Sequence, residues 1–422
     1  MEHVVIIGGG FGGVNLIKEL AKDKNFEITL VDRNNYNFFP PLLYQVSTGF
    51  LDAANISYPF RKLLRKYKNV HFSMGELEKI LPDAKVVLIN SKPIQYDYLV
   101  LATGLSTNYF GMENVKHHSL PMKTLGDALA LRNHILGRLE AASAEPDPQI
   151  RQKEMNVVVV GSGPTGVEIS GMLSDMKRDI LAKDHPEIPA SGTEPHIYLV
   201  DGLNEVLKPM SDKTHAYAFK ALTQMGVDVR LGMQVKDYDG DTVVFTNGQQ
   251  IDTKSLIWAA GVTGTKFEGI PPESYGRGNR IIVDEYNEVL NMKNVYAIGD
   301  ISLQTHESAY PGGHPQMAQI AIQQGKNLAD NLIAELENQE LHPFKYHDKG
   351  SMAIIGRNRA VVDLPGKAHF NGILAFYMWL MVHLLSLVTA SNRITTFYNW
   401  LIAYFSRDQS LRMIIKPSDK SQ

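Results

Sequence analysis

The 422-residue chain is 44% hydrophobic and 21% charged, apolar enough for two or three packed cores and too apolar for a disordered polymer. Its 42 basic and 45 acidic residues leave a formal charge of −3, which gives no electrostatic reason to expect nucleic acid as a partner. It has no cysteine, so disulfides, thiolate metal sites and thiol redox chemistry are excluded together.

The chain enters at once on a strand, Val4-Val5-Ile6-Ile7, so no signal or transit peptide and a cytoplasmic folding compartment are expected. Four successive β-branched residues suit a parallel strand buried on both faces. They run into Gly8-Gly9-Gly10-Phe11-Gly12-Gly13, where Gly8, Gly10 and Gly13 fall on the GxGxxG spacing of a dinucleotide-binding turn. The first glycine makes the turn, the second admits a pyrophosphate and the third lets the next helix pack closely. A helix over 14–22 and a strand over Glu27–Val31 follow, and the strand ends in Asp32, 24 residues beyond Gly8. An acid at that tip accepts ribose hydroxyls; the alternative is an ordinary surface acid. Asn37 to Tyr44 is then too apolar to lie bare in water, and is expected to pack on something flat.

Short strands fill 70–100, with turns expected at Pro82-Asp83 and Lys92-Pro93, and end in Tyr98-Leu99-Val100-Leu101-Ala102-Thr103-Gly104. Ser143 to Lys153 reads as a solvated linker. The opening pattern then recurs: Val157 to Val160 leads into Gly161-Ser162-Gly163-Pro164-Thr165-Gly166, a second GxGxxG turn ahead of a helix. Its strand-tip acid is Asp201, 40 residues after Gly161 because of a Pro-rich insertion around 184–195. An acid there accepts a 2′-hydroxyl and repels a 2′-phosphate, favouring NAD over NADP. Strands over 225–258 close in Trp258-Ala259-Ala260-Gly261, a strand-to-glycine crossing like that at Thr103-Gly104. A strand ending in Gly299-Asp300 places a carboxylate suited to a ribityl chain. The helix opened by Pro315 to Ala318 and running to about Leu336 turns a positive dipole end toward a reduced flavin.

The tail is polarised. Arg357 to Lys416 carries seven basic residues against two acids, which suggests a local basic surface. Gly372 to Ala390 holds no Asp, Glu, Lys or Arg in 19 residues, the length of a spanning helix. Beyond it, Ile394, Phe397, Tyr398, Leu401, Ile402 and Phe405 form an i, i+3, i+4, i+7 stripe. Two such helices with basic ends and a Tyr/Trp belt are expected to lie in one leaflet; a spanning helix and a dimerisation face are the alternatives.

Taken together, the chain resembles the flavoproteins with two dinucleotide domains, and within them the type II NADH dehydrogenases, single-subunit NADH:quinone oxidoreductases. The resemblance rests on Asn37 to Val46, Gly163-Pro164-Thr165-Gly166-Val167-Glu168, Trp258 to Val262 and Ala318-Gln319 to Gln323, and extends through the tail. Pro40 departs from it, since related chains often carry Thr or Gln there. It implies an α/β fold with two Rossmann-like domains and C-terminal amphipathic membrane-anchoring helices. The FAD domain would be discontinuous over 1–123 and 290–342, with an inserted NADH domain over 124–289 and a membrane-attachment region over 343–422. FAD is implied at Gly8, Gly9, Gly10, Phe11, Gly12 and Gly13, at Asp32 with Arg33, at Thr103 and Gly104, and at Asp300 and Ala318. NADH is implied at Gly161, Gly163, Gly166, Asp201 and Gly261, and no metal is called for. Glu168 is implied near nicotinamide and flavin, Gln319 and Gln323 at a quinone site; the alternatives are a dipole-favoured helix acid and a polar helix face. The expected reaction passes a hydride from NADH to FAD and two electrons to a membrane quinone without pumping ions. The protein would be a homodimer on the cytoplasmic face of the cell membrane. Sulfide:quinone oxidoreductases, disulfide reductases and thiol-dependent peroxidases need cysteine. A soluble NADH:ferredoxin-type reductase and a membrane-associated flavin and NADH sensor stay open as alternatives.

Overall fold

The computed structural model describes residues 1–366, 368–407 and 411–415; Lys367, Asp408 and Lys416 of the basic segment lie outside them. The principal elements, in chain order, begin with β1 (Glu2–Ile7), α1 (Phe11–Leu20), β2 (Phe26–Asp32), β3 (Val70–Met74), β4 (Tyr98–Leu101), β5 (Leu120–Pro121) and α2 (Leu125–Ala144). Next come β6 (Val157–Val160), α3 (Pro164–Met176), β7 (Ile197–Asp201), α4 (Asp212–Gln224), β8 (Val227–Leu231), β9 (Ser255–Trp258), β10 (Val295–Ala297) and α5 (Ala318–Leu336). The chain closes with β11 (Ser351–Gly356), β12 (Arg359–Leu364), β13 (Ala368–Asn371), α6 (Gly372–Ser386) and α7 (Ala390–Ser406).

Contacts divide the chain into two units, 1–38 with 58–106 and 262–348, and 39–57 with 107–261 and 349–422. The sequence-based division lay at 123/124 and 289/290. Residues 107–123 follow the second unit because β5 pairs with β9. Residues 262–289 follow the first because Ile281, Val283 and Val289 are buried with Val5, Leu99 and Val295.

The first unit carries a five-stranded parallel sheet in the order β10-β4-β1-β2-β3. Val4 and Ile6 point to one face, where Val14 and Ile17 of α1 and Leu328 and Leu332 of α5 cover them. Val5 and Ile7 point to the other, against Ile80, Val87 and Ile89 of a small antiparallel sheet. The all-β-branched run therefore answers to burial on both faces. Within the antiparallel sheet the turn lies at Asn90-Ser91, with φ of 46° and 61°, and Lys92-Pro93 begins the next strand. Asn tolerates positive φ, whereas proline cannot adopt it.

The second unit repeats the plan: β5-β9-β6-β7-β8, also all parallel. Most of the expected 143–153 linker is helical: Ser143 and Ala144 end α2, and a further helix runs over Pro148–Met155, because Asp147 caps the Gln149 and Ile150 N–H groups and Pro148 occupies the first turn. The insertion before β7 continues α3 through one π-helical turn, Lys177–Leu181.

The tail belongs to this unit as structure rather than as an appendage. β11, β12 and β13 form an antiparallel sheet, and α6 and α7 close over residues 39–57. Phe39 packs edge-on to His383 and Tyr44 to Trp379. Asn392 reaches the carbonyls of Ala54, Asn55 and Ser57 at 3.0, 2.9 and 3.1 Å. The flat partner expected for the apolar Asn37 to Tyr44 stretch is, for Phe39 and Tyr44, this helix pair. The outer faces stay bare: Ile373, Leu374, Met381, Leu385, Ile394, Tyr398 and Phe405 are all more than half exposed. Among the described residues no helix is long and apolar enough to cross a membrane, because the 19-residue apolar run breaks at Leu387 to Thr389, where Thr389 caps α7.

Candidate functional site

In the first unit the β1–α1 turn is built as its glycines require. Gly8 has φ +106°, and a Cβ there would strike the Ala102 carbonyl, while one on Gly13 would strike that of Gly8. A Cβ on Gly10, by contrast, would meet nothing within 4 Å, which leaves the space a pyrophosphate needs. No side chain caps α1 at Gly10, so the helix start is left to an anion. Asp32 at the tip of β2 accepts the Gly9 N–H at 2.8 Å through one oxygen and the Asn34 N–H at 2.8 Å through the other. Burial raises its pKa against those bonds and the exposed Arg33. Thr103 follows β4 with its hydroxyl buried and without a hydrogen-bond partner, and Gly104 turns the chain with φ +66°. An open cradle, an uncapped helix and an orphaned hydroxyl fit a bound dinucleotide such as FAD.

The second unit holds the same device. Gly161 has φ +105°, a Cβ on Gly166 would strike the Gly161 carbonyl, and one on Gly163 would meet nothing. Asp201 accepts the Ser162 N–H at 2.6 Å, the Ser162 hydroxyl at 2.8 Å and the Leu203 N–H at 2.8 Å. The strand-tip acid therefore grips the residue after the first glycine and its own i+2 N–H in both units. Gly261 leaves β9 with φ +80°, as Gly104 leaves β4.

The Gly299-Asp300 turn of the first unit is held by residues not singled out in the sequence. Gln324, fully buried, accepts the Gly299 N–H at 2.7 Å. Arg280, 7% exposed, donates to the Asp300 carbonyl at 3.0 Å and to the His314 carbonyl at 3.1 Å. A lone arginine entering an Ile-Ile-Val strand is the signal that would have found it. Likewise Asn37 donates to the Gly9 carbonyl at 2.7 Å from 28 residues away. Ala318 opens α5 without a side-chain cap. On that helix Gln319 and Gln323 are half-buried, and the Gln323 amide is engaged at both ends by the His347 N–H and carbonyl, each at 3.0 Å.

Glu168 lies in the second unit, apart from those glutamines in the contact division. It sits in the second turn of α3, is 9% exposed, and accepts the Ile354 N–H of β11. Burial raises its pKa well above the ordinary 4.5, against the Ile354 N–H, which lowers it. The helix comes this close because of Gly171, where a Cβ would collide with the Ile355 carbonyl. Glu168 opens into a cavity of about 370 Å³ lined by Tyr44, Gln45, Met172, Phe376 and Trp400 among others. Burial raises the Tyr44 phenol, and Gln45 is fixed by the Trp400 indole N–H at 2.7 Å. The arrangement offers a buried carboxyl whose charge is disfavoured by burial, at the end of an apolar chamber floored by 39–57 and roofed by α6 and α7.

Residues 2–325 match the pyridine nucleotide-disulphide oxidoreductase family model and residues 348–412 the NDH2 C-terminal domain. The chain is 37% identical to the type II NADH:quinone oxidoreductase NdhA of Mycobacterium tuberculosis, over 96% of this chain and 88% of that one. It is 30% identical to the type II NADH:quinone oxidoreductase of Staphylococcus aureus, over 87% and 90%. The structure of NDH2 from Plasmodium falciparum in complex with NADH superposes with a TM-score of 0.88 at 22% identity, over 98% of this chain and 100% of that one. The chain belongs to the type II NADH:quinone oxidoreductase family.

Proposed function

We propose that this chain oxidises NADH and delivers the electrons through FAD to a membrane quinone, working as a homodimer attached peripherally to the cytoplasmic face of the cell membrane. Gly8 to Gly13, Asp32, Thr103, Asp300 and the start of α5 hold FAD; Gly161, Gly163, Gly166 and Asp201 hold NADH. When bound, FAD supplies the two-electron carrier between a hydride donor and a quinone. The protein's own part is to fix the two pyrophosphates on the turns, to select NADH through the Asp201 carboxylate, and to hold a proton on Glu168. Gln319 and Gln323 line the acceptor side, Gln323 as a strap on the 343–348 segment as well as a polar surface.

The observation that carries this reading is a buried Glu168, its pKa pushed up by burial, opening into an apolar chamber roofed by helices with bare apolar outer faces. A soluble ferredoxin-type reductase has no use for such a roof. α6 is only about 22 Å long at 1.5 Å per residue, shorter than a hydrocarbon core of about 30 Å, and so suits an in-plane position. Anaerobic NADH is expected to bleach the flavin, and a quinone added next to restore its colour. A flavin that bleaches but stays reduced with quinone would favour the sensor and refute the oxidoreductase.

A further inference from the structure

Three carboxylates of the second unit line the same chamber: Glu168 and Asp175 on α3, and Asp179 in the π-helical turn that follows. Spacings of seven and four residues keep them on one helix face, with Met172 between the first two. They are graded in exposure. Glu168 is 9% and Asp175 7% exposed, while the Asp179 side chain is 17% exposed. Each of the inner two accepts a backbone N–H from β11 or the turn after it, Ile354 for Glu168 and Arg357, at 2.9 Å, for Asp175. Arg178 bridges Asp175 at 2.8 Å and Asp179 at 2.7 Å.

We propose that Asp175 relays to Glu168 the proton that quinone reduction draws from solvent, with Asp179 and Arg178 forming the entrance. This rests on the reaction proposed above. A hydride brings two electrons and one proton, whereas a quinone takes up two electrons and two protons to become a quinol. One proton per turnover must therefore come from outside. Asp175 in its acid form gives a proton towards the Glu168 carboxylate and is reprotonated from the rim, so neither group changes over a cycle. Seven helical residues separate the two by roughly 10 Å, a distance spanned by a few hydrogen-bonded waters in a chamber of this size. Arg178 and Asp179 of the following π-helical turn and the Arg357 N–H of the β11–β12 turn act on Asp175 directly, and Glu168, Tyr377, Tyr404 and Arg407 are the other titratable or charged groups near it that line the chamber. Burial raises the Asp175 pKa despite the Arg357 N–H and Arg178, which suits a group that must carry a proton, whereas Arg178 holds Asp179 below its ordinary value, which suits an ionised collector.

The test uses the full-length, FAD-loaded protein without NADH or quinone, so it stands apart from the proposed reaction. The infrared band of the protonated Glu168 carboxyl, assigned by its loss in Glu168→Gln, is followed on rapid mixing into D2O. Asp175→Asn, which can still accept the Arg357 N–H, is expected to slow exchange at Glu168 about tenfold, and Asp175→Glu to restore it. Quinone-dependent turnover should fall in parallel, more steeply at high pH and more than flavin bleaching by NADH. Exchange in Asp175→Asn within twofold of the wild type would overturn the relay. So would a Glu168 band that shifts or vanishes in that variant, which would make Asp175 a structural tie alone.

Discussion

Replacing Glu168 by Gln should stabilise the protein, and by an amount that grows with pH. The folded state keeps Glu168 protonated above pH 4.5 because burial disfavours its charge, whereas the unfolded chain releases that proton near its ordinary value. Through that window the folded state binds one proton more than the unfolded state, so stability falls as pH rises and levels off above the folded-state pKa. The slope is about 1.4 kcal/mol per pH unit. With an unfolding entropy of about 2.1 cal/mol/K per residue, a chain of this length loses about 1.5 °C in Tm per pH unit. Gln keeps the shape and a carbonyl oxygen for the Ile354 N–H, and has no charge to bury. Thermal unfolding of the two FAD-loaded proteins at a fixed scan rate, from about pH 5 to 8, should give curves that diverge upward for Glu168→Gln. The difference between them cancels every other titrating group. A constant difference across that range would refute the claim that Glu168 is held protonated.

Trp400→Phe removes the indole N–H from Gln45, which is 2% exposed, and should cost about 1–3 kcal/mol through the stranded amide oxygen, read as a lower Tm. Asp201→Asn removes the charge that repels a 2′-phosphate, and the NADH to NADPH ratio of kcat/KM should fall about tenfold, or 1.4 kcal/mol; an unchanged ratio would place selection elsewhere. Ile394→Asp with Phe405→Asp changes side chains 68% and 78% exposed, so folding should persist while sedimentation with anionic vesicles is lost. If vesicle binding survives and a dimer becomes a monomer instead, those faces serve self-association.

Both dinucleotide turns were legible because their signals are local. Gly8, Gly10 and Gly13, and their counterparts from Gly161, are dictated by backbone positions within one strand–turn–helix, and Asp32 and Asp201 by the ends of the neighbouring strands. Glu168 was reached through the family resemblance, but its partner Ile354 lies nearly two hundred residues on, and nothing in either segment announces the pairing. Arg280, Asn37 and Gln324 escaped for the same reason: each serves a backbone group distant in sequence, and a polar side chain looks alike whether it faces water or a buried carbonyl. The 143–153 stretch misled because Pro and Asp read as breakers, yet Asp147-Pro148 is also how a helix begins. The apolar tail read as a surface device, and composition could not reveal that its inner faces roof residues 39–57.

Gly171 ties these observations to mechanics. With no side chain at that crossing, α3 rests directly on β11, and β11 begins the sheet that leads through β12 and β13 into α6. If the tail is held at a lipid surface as proposed, tension on it reaches the helix bearing Glu168 through main chain and hydrogen bonds, with no side chain at the Gly171 crossing to yield. A shortened protein lacking residues beyond Gly366 would lose the lid of the chamber as well as the proposed attachment. Solubilising this enzyme by truncation should therefore alter its acceptor chemistry, and detergents that pull on the outer helices are expected to do so by degrees.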